Sequence, residues 1–553
     1  MTELHNDRSF ISNTRVLLSP YKKNLIAVAF CVTVVSVLNI FFPLVNKAII
    51  DKGVIAKDFA VLVFYLSILA ILFIATKLFD FIEFAQLTKI NKQMETDLTK
   101  KSTEHLLKLK LDYFKTHNEA QIMNNIRFDI SKLCYLTDRY MLVSIVQIFS
   151  IIGGIIGLCV LDAKLLIFVI LSIPAKLLIV RHYTAKREAT YKKTLSNLNK
   201  FGSWFGDTLN SIDIVKLWGL HKQKISDLLS IQNDSVKTSL TLEYTDKYSD
   251  TLESLIDFFL NCVLYLVGLT EIISGELTAG GLMAFIAYTA QVISPVSFLT
   301  KIKYHFVDVF PSMKRYIEFM QMPEEGCDDP KEKLVRVPDV ISFNNVSFSY
   351  GGNRVINNIS FMIKKRQKIA LVGDNGCGKS TLINLLLRFY EPAAGKIQFD
   401  GVDIIDYDID AYREMFAVVR QDAKLFNTTI RDNIDPMGRH TEEGLFDTFN
   451  SLALTDVLET HPEGLNTVVG KNGAKLSGGE AQKLSVLRAV LKNAKILILD
   501  EATSSFDLES EKVCNAYICE MMKYDYIIVI THREDILKYM DKVIRLDNGE
   551  IVN

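Results

Sequence analysis

An α-helical membrane bundle of six spans with long cytosolic extensions, followed by an α/β domain built around a phosphate-binding loop, is the architecture this sequence predicts. Two observations carry it. Six long apolar runs lie within residues 25–301. Further on, Gly373-Asp374-Asn375-Gly376-Cys377-Gly378-Lys379-Ser380 fits G-x-x-x-x-G-K-[ST], with a strand pattern before it and a helical pattern after it.

The chain has 553 residues, more than one core supports, and 49% of them are hydrophobic against 23% charged. Leu25–Asn46, Ala60–Thr76, Tyr140–Leu161 and Leu277–Thr300 carry no charge. Leu165–Val180 is interrupted only by Lys176, and Ser254–Thr270 only by Asp257. A spanning helix needs about 20 mostly apolar residues. The expected spans are 25–49, 60–84, 140–161, 163–182, 252–273 and 277–301. Six such runs so close together argue against buried core helices of a soluble protein. The first run follows a polar stretch and is too long for the h-region of a signal peptide.

Lys89–Arg139 and Arg181–Lys247 are long and basic, whereas the alternate connections Asp51–Phe59, Asp162–Lys164 and Ser274–Glu276 are short. Basic loops stay in the cytosol. An even number of spans then puts the N-terminus and the second domain on the cytosolic face of the cytoplasmic membrane. The eight cysteines are scattered without a C-x-x-C pair, the pattern of free thiols. A net charge of −1 gives no electrostatic footprint for nucleic acid. Residues 1–322 are therefore read as the membrane domain and 323–336 as a linker, polar and rich in Pro and Gly around Pro323–Pro330. Residues 337–553 form the second domain, starting with the alternating pattern Ile341–Tyr350.

In that domain the glycines let backbone N–H groups close on phosphate oxygens at a helix N-terminus. Gly373 through Thr381 would line the phosphates, with Lys379 reaching the β- and γ-groups and Ser380 holding Mg²⁺. Ile496–Leu499 reads as a buried strand that delivers Asp500 toward the metal. Glu501 is then placed to polarise the attacking water. Leu476-Ser477-Gly478-Gly479-Glu480 opens a helix, a second anion site.

These motifs resemble the nucleotide-binding domain of the ABC transporters over Val337–Asn553. With six spans ahead of it, the chain resembles an exporter-type half-transporter. The resemblance implies ATP and Mg²⁺ as ligands. Tyr350 would stack on adenine. Gln421 would be the Q-loop residue that senses Mg²⁺, and His532 the switch histidine that contacts the γ-phosphate. Ser477, Gly478, Gly479 and Glu480 match the signature LSGGQ, with Glu480 for the final glutamine. Ser504-Ser505-Phe506-Asp507 resembles the D-loop, with Phe506 for leucine. In this family the signature caps ATP on a second ATPase domain. One P-loop and one signature per chain therefore imply a dimer, and an intact hydrolytic set favours two copies of this chain. Leu111–Asp129 and Asp207–Lys216 resemble the two intracellular loops that end in coupling helices. Gly470–Gly473 resembles the X-loop, with Lys471 for its acid.

Intramembrane charge marks candidate substrate contacts. Asp257 shares a helical face with Asn261 and Tyr265, and Gln291 is polar in the sixth span. An unpaired Asp257, present twice in a dimer, would favour cationic or zwitterionic cargo. The expected function is ATP-driven export by alternating access, with a modified peptide as first cargo. The alternatives are a lipid or lipid-linked oligosaccharide flippase and a multidrug exporter. Two other classes, a soluble ABC ATPase and a gated channel, fit the spans and the lack of further motifs less well.

Overall fold

The computed structural model describes residues 12–116, 119–302, 309–326, 336–470, 473–522 and 524–552. It divides into two compact units, Met1–Leu107 with Glu119–Met322, and Lys108–Asn118 with Pro323–Asn553.

Among the described residues the first unit holds six helices long and apolar enough to cross a membrane. They are Lys22–Ala48, Phe59–Lys108, Arg139–Leu161, Ala163–Asn210, His221–Ile273 and Ala279–Lys301. The second, fourth and fifth contain 50, 48 and 53 residues. At about 1.5 Å per residue each is more than twice as long as a hydrocarbon core of about 30 Å. Each therefore continues its apolar span as a polar helix outside the bilayer. Hydropathy marks only the apolar half, so the helices overrun the expected spans.

Local chemistry sets the helix ends. Asp162 accepts from Lys164 N and Leu165 N, capping the fourth helix. Thr278, not Leu277, caps the sixth by accepting from Gly281 N. Asp51 locks that turn by accepting from the Thr278 hydroxyl and Gly280 N. Inside the bundle, small residues admit large neighbours. A Cβ on Gly157 would stand 2.7 Å from the Tyr288 ring. Tyr288 is fully buried and donates to Ile40 O at 2.5 Å. On the second helix Ile71, Phe73, Ile74 and Phe81 are exposed. Such a continuous apolar face suits lipid and would be a liability in water.

The second unit contains two sheets. The first has the order β2-β1-β4-β5 and is antiparallel, with β1 Val340–Tyr350, β2 Asn353–Lys364, β4 Ala394–Phe399 and β5 Val402–Asp403. The second has the order β10-β9-β3-β8-β7-β6. Its strands are β3 Gln367–Val372, β6 Phe416–Val419, β7 Ile496–Asp500, β8 Tyr526–Ile530, β9 Lys542–Asp547 and β10 Glu550–Val552. All pairings are parallel except β10 with β9. β3, β7 and β8 read as near-continuous apolar runs because both faces are buried. Separately, Leu445, Phe449, Leu454, Leu484 and Leu487 build the core of a helical part.

The short helix Leu111–Thr116 clusters with this second unit, although it lies in sequence between the second and third spans. A second short helix, Ile212–Leu217, lies between the fourth and fifth spans. Lys471 and Asn472 of the X-loop lie outside the described residues.

Candidate ATPase site

Parallel register assembles the site. β3, β8, β7 and β6 are neighbours, and each hands its chemistry to the loop past its C-terminal end. β3 leads into Gly373–Gly378 and the helix Lys379–Leu386. Asp500 ends β7, with Ile530 as its partner in β8. Gln421 follows two residues after β6, Glu501 one after β7 and His532 two after β8. Ligands of open α/β sheets sit at these strand ends.

The loop needs its glycines. Gly373 has φ +149°, and a Cβ there would meet Leu546 O at 2.1 Å. Gly378, at φ +106°, is the left-handed N-cap of the helix. The Lys379 ammonium donates to Gly373 O at 2.6 Å and Asp374 O at 2.9 Å, so it already lies over the loop. Thr381 is buried one residue beyond Ser380. Cys377 departs from a substituent facing phosphate. It is 6% exposed and packs into the β core, with the Lys379 ammonium 3.8 Å from its sulfur. Of Cys377, only the backbone is therefore left to face the loop, which Asn375 and Gly376 share.

The Ser380 hydroxyl donates to Asp500 at 3.2 Å. Burial pushes the Asp500 carboxyl up, and the Ser380 hydrogen bond opposes this. Glu501 has a left-handed backbone, φ +49°, held by three bonds, one of them from Ser504 N to its carbonyl at 3.2 Å. Its N–H donates to Ile530 O at 3.0 Å, and its carbonyl accepts from Gln482 at 2.8 Å. Its carboxylate accepts from Gln421 at 2.9 Å and lies 3.6 Å from His532 Nε2. Gln421 and His532 thus both approach the Glu501 carboxylate. Gln482, which fixes Glu501 from the signature helix, is not among the motif residues; its signal is its place two residues past Glu480.

Among the described residues no group of three His, Cys, Asp or Glu can hold a metal. Ser380, Asp500 and Gln421 instead offer a hydroxyl, a carboxylate and an amide. Such hard oxygen donors suit Mg²⁺, which keeps phosphate oxygens and waters as its other ligands.

Tyr350 ends β1 with its ring edge-to-face to Phe348 at 4.8 Å and to Tyr390 at 5.2 Å. The signature helix Gly478–Leu491 opens with a capping box. Ser477 Oγ accepts from Glu480 N, and the Glu480 carboxylate accepts from Ser477 N at 2.7 Å and from the Ser477 hydroxyl at 2.8 Å. Burial raises the Glu480 carboxyl, but these bonds, one from Thr460 and the nearby His461 outweigh it and hold it below the usual range. Ser477 and Gly478 are exposed. None of the described hydrogen bonds joins the signature to the P-loop.

In the membrane unit Asp257 is not the lone carboxylate that the sequence suggested. Lys176 of the fourth helix pairs with it at 2.6 Å. Lys176 is 3% exposed and needs that counter-ion. The pair is neutral, which removes the case for cationic cargo. Two spans carrying one interrupting charge each, of opposite sign, were the available signal. Gln291 donates to Asn39 O at 3.2 Å and its carbonyl accepts from Ser150, so it joins helices. Tyr265 is 45% exposed and Asn261 partly so, leaving this face open to a ligand or to lipid.

The family model for the ABC transporter transmembrane region matches residues 25–296, and the ABC transporter model matches 356–504. An ATP-dependent lipid A-core flippase of Haemophilus ducreyi is 28% identical over 97% of this chain and 93% of its own length. One of Albidiferax ferrireducens is 28% identical over 92% of this chain and 89% of its own. A bacterial Atm1-family ABC exporter with ATP bound shares the fold at a TM-score of 0.80, with 23% identity, covering 96% of this chain and 94% of that one. Both halves are matched in one chain, with six membrane helices ahead of one ATPase domain. The protein belongs to the ABC transporters as an exporter-type half-transporter, an ATPase whose hydrolysis is coupled to transport.

Proposed function

We propose that the chain works as a homodimer in the cytoplasmic membrane, its N-terminus and ATPase domain cytosolic, and moves an amphipathic lipid or lipid-linked saccharide between leaflets. The observation that carries the cargo class is the likeness, over 97% of the chain, to a protein named as a lipid A-core flippase. Peptide export, the first expectation from sequence, finds no support among these relatives. The neutral Lys176–Asp257 pair also removes the electrostatic reason to favour basic peptides.

The chemistry follows from the strand-end cluster. Lys379 and the P-loop N–H groups hold the phosphates in line for attack. Ser380, Asp500 and Gln421 would hold Mg²⁺, which neutralises charge on the β- and γ-phosphates. Glu501, with its backbone fixed by Ile530 and Gln482, orients and polarises the water. His532 reaches the same point. The exposed signature N-terminus of one copy would cap the γ-phosphate held by the other. ATP thereby favours the closed dimer, and hydrolysis releases that preference.

Proteoliposomes decide the cargo. A phosphorylated glycolipid should raise ATPase activity and be flipped in an ATP-dependent way, and basic peptides should do neither. Peptide uptake into inverted vesicles without lipid stimulation would overturn the lipid reading.

A further inference from the structure

The chain between the second and third spans places a cation on the tyrosine read as the adenine platform. Lys108–Asn118 clusters with the nucleotide unit. Leu109 bridges to Glu324, Leu111 packs on the β core, and Lys110 pairs with Glu391 at 3.0 Å. These contacts anchor the short helix Leu111–Thr116. Beside it opens a cavity of about 610 Å³ whose wall includes Lys115, Phe348, Tyr350, Arg388 and Tyr390. The Lys115 ammonium lies 5.3 Å from the centre of the Tyr350 ring and 4.8 Å from that of Tyr390. Both distances are within the roughly 6 Å reach of a cation–π contact. The two rings are nearly perpendicular, at 88°, so one ammonium ties them into a unit.

From this geometry we infer that Lys115 is a positioning residue for the base of ATP. The inference rests on Tyr350 being the adenine-stacking residue. A stacked base needs a ring of fixed tilt, and Tyr350 is otherwise held here by edge contacts to Phe348 and Tyr390. Lys115 supplies an attraction to the ring itself. It comes from a loop continuous with the second span helix, not from the fold that carries the P-loop. The base subsite therefore depends on a residue of the membrane half's intracellular loop, whereas the phosphate subsite does not.

The test uses the full chain in nanodiscs and reads ATPase kinetics. Lys115→Ala should raise KM for ATP about two- to five-fold, the size of an exposed cation–π contact, with kcat little changed. Lys115→Arg should restore KM, because a guanidinium also sits on a ring face. Inhibition by inorganic tripolyphosphate, which has no base, should be the same in all variants. In a Tyr350→Ala background, Lys115→Ala should add nothing. An unchanged KM, an equal rise in both backgrounds, or a fall in kcat alone would overturn the positioning role. If Tyr350→Ala itself leaves KM for ATP at the wild-type value, the adenine assignment fails, and that result is separate from any in the Lys115 series.

Discussion

Glu501 shows what a single residue contributes and what holds it there. Its carboxylate is aimed by a left-handed backbone held by Ile530 and Gln482, and its oxygens meet Gln421 and His532. Glu501→Gln keeps the shape and removes the proposed base. Steady-state turnover should fall by roughly 10²–10⁴-fold while ATP affinity, read by nucleotide binding, stays within a few-fold. Near-normal turnover would remove Glu501 from the base role. Cys377 makes a different point. It sits inside the P-loop, yet its side chain packs inward at 6% exposure. A maleimide should therefore react only as the loop opens. Inactivation should be slow, MgATP should slow it further by holding the loop shut, and Cys377→Ser should be active and resistant. Rapid inactivation of wild type, insensitive to MgATP, would contradict the buried position. Motif spacing placed the residue correctly but carried no information on which way the side chain turns.

At the scale of elements, caps and pairs decide where helices begin and which helices stay together. Asp507 caps the helix Leu508–Ala516. The Ser510 backbone N–H, then the Ser510 side chain and Lys483, hold its carboxyl down at about 2. An unfolded aspartate titrates near about 3.9. The folded value is the lower one, so the stabilisation is present above the unfolded value and is lost as pH falls toward about 2. Asp507→Asn should lower Tm at pH 7, and the gap to wild type should close as pH drops through this window. A gap independent of pH would mean the cap acts without its charge. Lys176 and Asp257 join the fourth and fifth spans. Asp257→Asn leaves a buried ammonium without its counter-ion and should cost at the lower end of about 3–5 kcal/mol, because Asp257 is itself 43% exposed. Thermal unfolding in detergent measures it. The double change Lys176→Met with Asp257→Leu should recover most of the loss, and failure to recover would point to some further role for the charges. Much of this level was legible beforehand. Asp500 at a strand end followed from the apolar run ahead of it, and a helix opening at Ser477–Gly479 from the signature-like segment itself. The Lys176–Asp257 pairing was signalled only by one interrupting charge of opposite sign in each of two spans, and hydropathy, which reads each span alone, does not say which helices are neighbours. The long extensions of the second, fourth and fifth helices were expected, but hydropathy could not bound them, since their polar halves carry no apolar signal.

For the whole molecule, the arrangement of one phosphate loop and one signature per chain makes a test of dimerisation possible without a dimer structure. Ser477 and Gly478 at the helix start are exposed, and none of the described hydrogen bonds links the signature to the Gly373–Thr381 loop of its own chain. If each ATP lies between the P-loop of one copy and the signature of the other, two differently damaged copies should repair one another. A chain with Lys379→Ala keeps its signature, and a chain with Gly478→Asp keeps its P-loop. Each alone should form dimers with two dead sites. Co-expressed, mixed dimers contain one site with both defects and one with neither. Closed two-fold pairing makes about half of the dimers mixed, so ATPase activity should return to about a quarter of wild type when sites act independently. Differently tagged copies purified in tandem isolate the mixed species, whose activity should approach half of wild type for independent sites. Absence of any recovery in that purified species would show that the ATP site is not shared between two copies of this chain, and the homodimer would then have to be replaced by a site within one copy or by pairing with a different chain.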